Sequence, residues 1–388
     1  MKKSKRKICV VVTARPSYSR IKSVLTSVKQ HPDLTLQLVI SGTALLDKFG
    51  KTIDIIKKDG FKIDEKINSV VDGGDLITMA KTTGLSLIEL STSFQNLKPD
   101  VVVTIADRYE TIATAIAASY MNIPLAHVQG GEVTGSIDEK VRHSITKLSD
   151  VHFVSNDLAM KRLLKMGEDK SSIYNTGCPS IDLIEKKIFM QHKLPFDPIK
   201  KYGGVGSDID ISNGYLVVMQ HPVTTEYDLS YNQVTSTLEA VSLIDLPVLW
   251  FWPNVDAGSD GTSKGIRAFR EWGPKSNIRF FKNMEPLDFL SLLKHSKCII
   301  GNSSVAIREC AFMGVPAVNI GSRQEGRLRG SNTIDVDYEV KEIEKSIHFH
   351  IRNGHYEKNT IYGDGKSGKR IVEKLARIPL SIRKKLTY

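Results

Sequence analysis

Short runs of consecutive apolar, mostly β-branched residues alternate along this chain with longer stretches whose apolar residues recur every three or four positions. The first kind of run suits a strand buried on both faces, the second an amphipathic helix packed against it. Residues 7–13 (KICVVVT) read as a strand, followed by a turn at Pro16 and a helical stretch to about Val28. Residues 34–41 are the next strand and 45–58 the next helix. A long helical pattern over 76–97 ends before Pro99, then 101–105 is a strand and 111–120 a helix. Residues 123–128 and 151–155 are two further strands. This alternation predicts a parallel sheet wrapped by helices on both sides.

The pattern breaks at 194–213 (LPFDPIKKYGGVGSDIDISN), whose prolines, glycines and Asp/Ser residues read as loop or linker. It restarts with strands at 215–220, 248–252, 278–281, 298–300 and 317–320, and helical patterns at 232–244, 285–294 and 304–313. The expected fold is therefore α/β, with two Rossmann-like doubly wound domains, 1–180 and 181–368, facing a central cleft. Each would point the carboxyl ends of its strands into that cleft, where open parallel sheets bind ligands.

Composition narrows the class. The 388 residues include 54 Lys+Arg against 43 Asp+Glu, a formal charge of +11, with 41% apolar and 25% charged residues. These values fit a globular chain and exclude a disordered, collagen-like or disulfide-scaffold protein. Eight of the eleven excess charges sit in two tails, at Lys2, Lys3, Lys5, Arg6 and Lys7 and at Arg383, Lys384 and Lys385. Such tails read as solvated ends, so no nucleic-acid partner is expected. Cys9, Cys178, Cys298 and Cys310 are far apart and form no C-x-x-C pair, which argues against a metal site or disulfide framework and fits a reducing compartment. No apolar run approaches the roughly 20 residues of a membrane helix. The ICVVV run after the basic start is too short for a secretion signal. A cytoplasmic protein without a membrane partner is expected.

The candidate chemistry falls where strands end. Arg15 and Ser19 (in TARPSYS) open the first helix, where they could face an anion or simply cap and decorate it. The absence of G-x-G-x-x-G there argues against dinucleotide binding. Asp107 and Arg108 (ADRYE) end the strand VVVTI; a capping Asp with an outward Arg is the plain alternative. The segment HVQGGEVTGSIDEKVRHSITK is the densest in polar groups. Gly130 and Gly131 permit a tight turn before Glu132, and Asp138, Arg142 and His143 lie at the start of a helix. Asp138 and Arg142, four apart, can pair on one helix face. Glu132, Asp138 and His143 near Asp107 form the titratable cluster that acid–base chemistry on a sugar requires. In the second half, QHPVTT offers His221, and PNVDAGS offers Asn254 and Asp256. GNSSVAIRE places Ser303 and Ser304 at a helix N-terminus, an anion site, and Glu309 where it could accept from ribose hydroxyls or face solvent. Arg323, Arg327 and Arg329 (GSRQEGRLRG) suit phosphate oxygens.

Together these segments resemble the hydrolysing UDP-N-acetylglucosamine 2-epimerases of sialic-acid biosynthesis, both the bacterial enzymes and the epimerase half of the bifunctional animal enzyme. The likeness runs from about Ile8 to Ile371 and includes the DR-aromatic-acid segment at 107–110 and YGDG at 362–365. It implies a glycosyltransferase-B-like fold with a UDP-sugar in the interdomain cleft, no metal and no redox cofactor. It also implies a final helical segment, 369–388, packed back on the first domain. The implied reaction converts UDP-GlcNAc to N-acetylmannosamine and UDP through 2-acetamidoglucal. Asp107, Glu132 and Asp138 are the implied catalytic carboxylates, with His143 as support. Arg15, Ser19, Arg108, His221, Asn254, Ser303, Ser304, Glu309 and Arg323 are the implied UDP contacts. The expected partner is a nucleotide sugar and the expected assembly a homodimer or homotetramer.

The chain departs from the family at Ala106, where relatives usually have Gly before Asp-Arg, and at Ile105, where animal-type relatives have histidine. Lys282 is followed by Asn283 rather than histidine, so feedback by CMP-sialic acid is not expected, nor is a following kinase domain. Four other readings remain open from sequence: a hydrolysing UDP-N,N′-diacetylbacillosamine 2-epimerase, a non-hydrolysing epimerase, a retaining glycosyltransferase and an inactive UDP-sugar sensor.

Overall fold

The computed structural model describes residues 4–47, 51–73, 75–134, 137–184, 186–253, 258–272 and 277–387. The chain divides into two compact units, one of Met1–Glu132, Ile137–Leu183 and Tyr362–Tyr388, the other of Val133–Ser136 and Ile184–Ile361. Each is an α/β sandwich.

The first unit runs β1 (Arg6–Val12), α1 (Arg15–Gln30), β2 (Leu34–Ser41), α2 (Thr52–Lys58), β3 (Glu65–Ile67), α3 (Leu76–Leu97), β4 (Val101–Ile105), α4 (Thr111–Tyr120), β5 (Leu125–Val128), α5 (Ile137–Leu148), β6 (Val151–Val154), α6 (Asp157–Lys165) and β7 (Ile173–Asn175). Its seven strands are ordered β3-β2-β1-β4-β5-β6-β7 and pair in parallel throughout. Strand β1 shows why the sheet is covered on both faces. Ile8, Val10 and Val12 enter a core shared with Tyr18, Ile21 and Leu25 of α1, while Cys9 and Val11 enter one shared with Leu90 and Phe94 of α3. Successive side chains of a strand point to opposite faces, so an unbroken apolar run requires this arrangement. The last helix, Ser367–Arg377, packs on α1 and places Ile371, Val372 and Leu375 in the α1 core. Its first turn is held by Asp182, whose carboxylate accepts from Ser367 N at 3.0 Å and Gly368 N at 2.6 Å.

The second unit contains α7 (Lys186–Met190), α8 (Pro198–Tyr202), β8 (Val205–Gly206), β9 (Leu216–Met219), α9 (Ser230–Ser242), β10 (Val248–Phe251), α10 (Ser259–Trp272), β11 (Ile278–Phe281), α11 (Pro286–His295), β12 (Cys298–Gly301), α12 (Ser304–Ile307), α13 (Glu309–Met313), β13 (Ala317–Ile320), β14 (Thr333–Val336) and α14 (Val340–Asn353); Ser367–Arg377 is then α15. The sheet order is β14-β13-β12-β9-β10-β11-β8, with β8 antiparallel at the edge. Trp250, Phe280, Ile300 and Val318 form its core with Val234 and Leu238 of α9 and Ile343 and Ile347 of α14. All four cysteines are buried and none is in a disulfide. Among the described residues no helix is long and apolar enough to cross a membrane.

Three segments that the pattern-based reading did assign take a different form, and β3, β7 and β14 are strands it left unassigned. The helix expected over 45–58 starts only at Thr52, after Lys51 takes a left-handed φ of 38°. The linker expected over 194–213 contributes α8 and the edge strand β8; Arg279 fastens it, donating to Gly203 O at 2.8 Å and Ser207 O at 3.0 Å. The helix expected over 304–313 is broken at Arg308 into α12 and α13.

Two details at the ends of β4 and β5 bear on stability. Ala106 holds φ at +65°. A residue with a Cβ in the left-handed region costs about 1–2 kcal/mol, part of which a glycine returns as chain entropy on folding. Ala106→Gly is therefore expected to stabilise the protein by about 0.5–1 kcal/mol. Urea unfolding measures this, and a lower midpoint at unchanged slope would count against it.

His127 on β5 is fully buried. Burial drives its pKa down to about 3, against the opposing hydrogen bond to the Ala106 carbonyl. The ring is thus neutral, and because a carbonyl only accepts, its proton sits on Nε2, 2.9 Å from Ala106 O. Nδ1 then accepts from the Thr146 hydroxyl at 3.2 Å. Below pH 6.5 the unfolded chain takes up a proton at this position that the folded chain refuses. Stability should fall by about 1 kcal/mol per pH unit from this residue between pH 6.5 and 5, the slope approaching about 1.4 at the acid end. A His127→Gln variant should be less stable at pH 7, and its deficit should shrink as pH falls to 5. A deficit that stays constant would show that His127 is charged in the fold.

Candidate active site

In the first unit the chain order changes direction between β1 and β4, because β1 leads to β2 on one side and β4 to β5 on the other. The carboxyl ends of these strands are where an open parallel sheet exposes polar loop groups to a ligand. Asp107 lies two residues past β4 and is 6% exposed. Arg142 of α5 forms an ion pair with its Oδ2, and Arg20 of α1 approaches Oδ1 at 3.7 Å. Two guanidiniums thus offset the cost of burying one carboxylate. Helix spacing offered Arg142 a partner in Asp138 and gave no sign of Asp107, with which its guanidinium pairs in the structure.

Glu132 follows β5, the neighbour of β4, and is 2% exposed. Its Oε1 accepts from Ser155 Oγ at 2.7 Å, from the residue that directly follows β6. Gly131 makes this turn with φ at +75°; a Cβ there would sit 2.5 Å from Ala159 O, so only glycine fits. Arg108 folds onto buried Glu110, Nε to Oε1 at 2.8 Å. Asp138 is in the first turn of α5, and His143 pairs with Glu139 one turn earlier at 3.2 Å, both half-exposed. Arg15 and Ser19 are half-buried on α1. Four carboxylates (Asp107, Glu110, Glu132 and Asp138) and three arginines (Arg20, Arg108 and Arg142) therefore come from the ends of β4 and β5 and the helices α1 and α5.

The second unit changes direction between β9 and β12. Asn302, fully buried just past β12, bridges the gap: its Oδ1 accepts from His221 N and its Nδ2 donates to His221 O, both at 2.8 Å. This repeats the two-point pairing of a strand ladder where the strands have ended. Asn302 O accepts in turn from Arg323 Nη1 at 3.1 Å and Gln324 Nε2 at 2.9 Å. Gly301 allows the close approach, since its Cβ would lie 2.2 Å from Met219 O. Ser303 caps α12, and Arg308 donates to Ser304 Oγ at 2.7 Å. Glu309 begins α13 and is 9% exposed, with its Oε2 buried and lacking a hydrogen-bond partner among the described residues. Asn254 and Asp256 lie outside the described residues.

Sequence reading passed over Arg20, Ser155, His127, Asn302 and Gln324. Arg20 had a usable signal, one helical turn beyond Pro16 on the helix that opens the site. Asn302 stands within GNSSVAIRE, where the adjacent hydroxyls carry the stronger sequence signal. Ser155 ends a strand without any motif.

Residues 26–376 match the model of the family described as UDP-N-acetylglucosamine 2-epimerase. The chain is 33% identical over 377 residues to the UDP-N,N′-diacetylbacillosamine 2-epimerase (hydrolyzing) of Legionella pneumophila, covering 97% of each chain. It is 30% identical over 362 residues to the UDP-N-acetylglucosamine 2-epimerase of Neisseria meningitidis, covering 93% of this chain and 91% of the other. In structure it is similar to the UDP-GlcNAc 2-epimerase of Methanocaldococcus jannaschii, solved with UDP-GlcNAc and UDP, at a TM-score of 0.76 and 18% identity, covering 95% and 99% of the two chains. That likeness shows a shared two-domain α/β fold. With the family match spanning most of its length, the chain belongs to the UDP-N-acetylglucosamine 2-epimerase family.

Proposed function

We propose that this protein is a hydrolysing 2-epimerase of a UDP-2-acetamido sugar, converting UDP-GlcNAc and water to N-acetylmannosamine and UDP for sialic-acid-type biosynthesis. The observation that carries this reading is the pair of buried carboxylates, Asp107 and Glu132, at the ends of adjacent parallel strands. The family and the Neisseria relative's named activity support it.

The reaction has two halves. In the first, the C1–O bond to UDP breaks and the C2 proton leaves, giving 2-acetamidoglucal. The C2–H bond is not acidic in the ground state, so positive charge must build at C1 as the proton departs. Carboxylates fixed nearby stabilise that charge without reorganising. Asp107 is fixed by Arg142 and Arg20, and Glu132 by Ser155. In the second half water adds to C1 and C2 is reprotonated on the opposite face. Asp107, Glu132 and Asp138 share the acid and base roles, with His143 in support.

The UDP contacts assigned to the second unit are His221, Asn254, Ser303, Ser304, Glu309 and Arg323. Arg15, Ser19 and Arg108 are those of the first. Ser303 and Ser304 would hold the diphosphate. With α12 only one turn long, their hydroxyls and Arg323 carry that role more than a helix dipole does. The unsatisfied Oε2 of Glu309 suits an acceptor for ribose hydroxyls. A second reading, with UDP-N,N′-diacetylbacillosamine as substrate, is favoured by the Legionella relative's identity over nearly the whole chain.

Incubation with each donor in deuterated water, followed by NMR, tests the assignment. The expected products are UDP and a free manno-configured sugar deuterated at C2. A UDP-linked epimer as final product, or no UDP released from either donor, would overturn it. In a companion measurement, Glu132→Gln should cut turnover by about 100-fold or more while UDP still binds. Near-normal turnover would remove Glu132 from the chemistry.

A further inference from the structure

No residue of the basic C-terminal tail is among the carboxylates and UDP contacts assigned to this reaction, and its sequence reads as a solvated end. In the structure it is docked. Thr387 donates through N and Oγ1 to Gly167 O at 3.0 and 3.3 Å. Three residues earlier, Lys384 turns inward with its side chain 24% exposed. Its ammonium reaches Thr146 O at 2.9 Å, Ser149 O at 2.5 Å and Glu168 Oε2 at 2.6 Å. An ammonium has three N–H donors, and all three are used.

Two of the acceptors terminate α5. Thr146 O belongs to its last turn and Ser149 O lies just beyond it. Carbonyls there form the negative end of the helix dipole, so a cation settles on them; Thr146 O also accepts from Ser149 N at 3.2 Å. The third acceptor, Glu168, is shared with Lys147 at 2.7 Å and His152 at 3.0 Å. Burial raises its pKa, but those three donors outweigh burial and hold it at about 2. The tail is thus bound by an ionised cluster and by a helix end.

Helix α5 also makes two connections to the Asp107 corner. Arg142 pairs directly with Asp107. Thr146 Oγ1 holds His127, which holds the carbonyl of left-handed Ala106, the residue before Asp107. We propose that Lys384 is a positioning residue for the reaction: by capping α5 it sets Arg142 and, through Thr146 and His127, the Ala106–Asp107 turn. This rests on the reading of Asp107 as a catalytic carboxylate.

The test compares full-length wild type with Lys384→Met and Lys384→Arg, using whichever UDP-sugar the wild type turns over. Lys384→Met should lower kcat about tenfold with KM for the donor changed by less than about twofold. Lys384→Arg, which keeps a donor cation, should recover most of kcat. Hydrogen exchange, read without substrate, should quicken about tenfold or more in Lys384→Met at 143–149 and at 106–108. A folded Lys384→Met with kcat within about twofold of wild type, or with exchange at 106–108 unchanged, would overturn the proposal. If Lys384→Met does not fold, Lys384→Gln gives the same two readouts with the same expected directions. If wild type turns over neither donor, the proposed activity fails, and the exchange measurement alone then decides whether Lys384 positions the turn.

Discussion

Keeping a charged Asp107 at the closed end of a parallel strand constrains the whole first unit. At 6% exposure an unpartnered carboxylate would cost several kcal/mol, so cations have to be brought to it. They come from α1 and α5, the helices that follow the strands on either side of β4. Helix α1 is fixed by Tyr18, Ile21, Val24 and Leu25 in one core; α5 is fixed by Val141 and Ile145 in the other. The two cores on opposite faces of the sheet therefore determine where the two guanidiniums arrive. The backbone yields to the same demand: Ala106 adopts a conformation that glycine would take at lower cost, and the neutral ring of His127 holds its carbonyl in place. The strain at Ala106 sits directly beside the carboxylate, where an over-determined local structure can hold it.

The second unit solves the equivalent problem with neutral groups. Strands β9 and β12 part beyond Met219 and Gly301, and the Asn302 amide replaces the missing ladder bonds by pairing with both backbone groups of His221. What remains around that bridge is hydroxyls at Ser303 and Ser304, a cation at Arg323 and a carboxylate oxygen at Glu309. A set of this kind holds a ligand through fixed hydrogen bonds, whereas the first unit gathers opposed charges that can stabilise a changing one. The division of labour proposed between sugar chemistry and UDP binding follows from this difference in how each sheet ends.

The strands buried on both faces were legible because a parallel sheet forces an unbroken apolar run, and ICVVV and VVVTI have no other good burial pattern. The four edge strands β3, β7, β8 and β14 were missed, since an edge needs only one buried face and two to four residues. Within the site, Asp107, Glu132 and Ser303 stand beside glycines or at strand ends, where local sequence marks a turn. Arg20 and Arg142 do not, because their roles depend on which helices flank which strands. Arg142 is the clear case. Spacing along the helix gave no sign of its ion pair with Asp107, which crosses from α5 to the end of β4, a contact that exists only once the strand order is set. Ser155 and Asn302 were obscure for a related reason, since each satisfies a group on a different strand.

The same reasoning changes what the +11 charge means. A formal charge counts ionisable side chains and omits helix ends, although each C-terminus presents the equivalent of about half a negative charge. Both basic tails are used against such ends. Lys384 covers the carbonyls that finish α5, and Arg6 donates to Leu375 O and Ile378 O, which finish α15. Arg6 lies at the start of β1, so it also ties the first strand of the unit to its last helix, which the chain adds after completing the second unit. Two of the cations that looked surplus in the composition, Arg6 and Lys384, thus have partners that the composition does not count. Inferring a polyanionic ligand from them would treat the protein's own backbone as if it were uncharged.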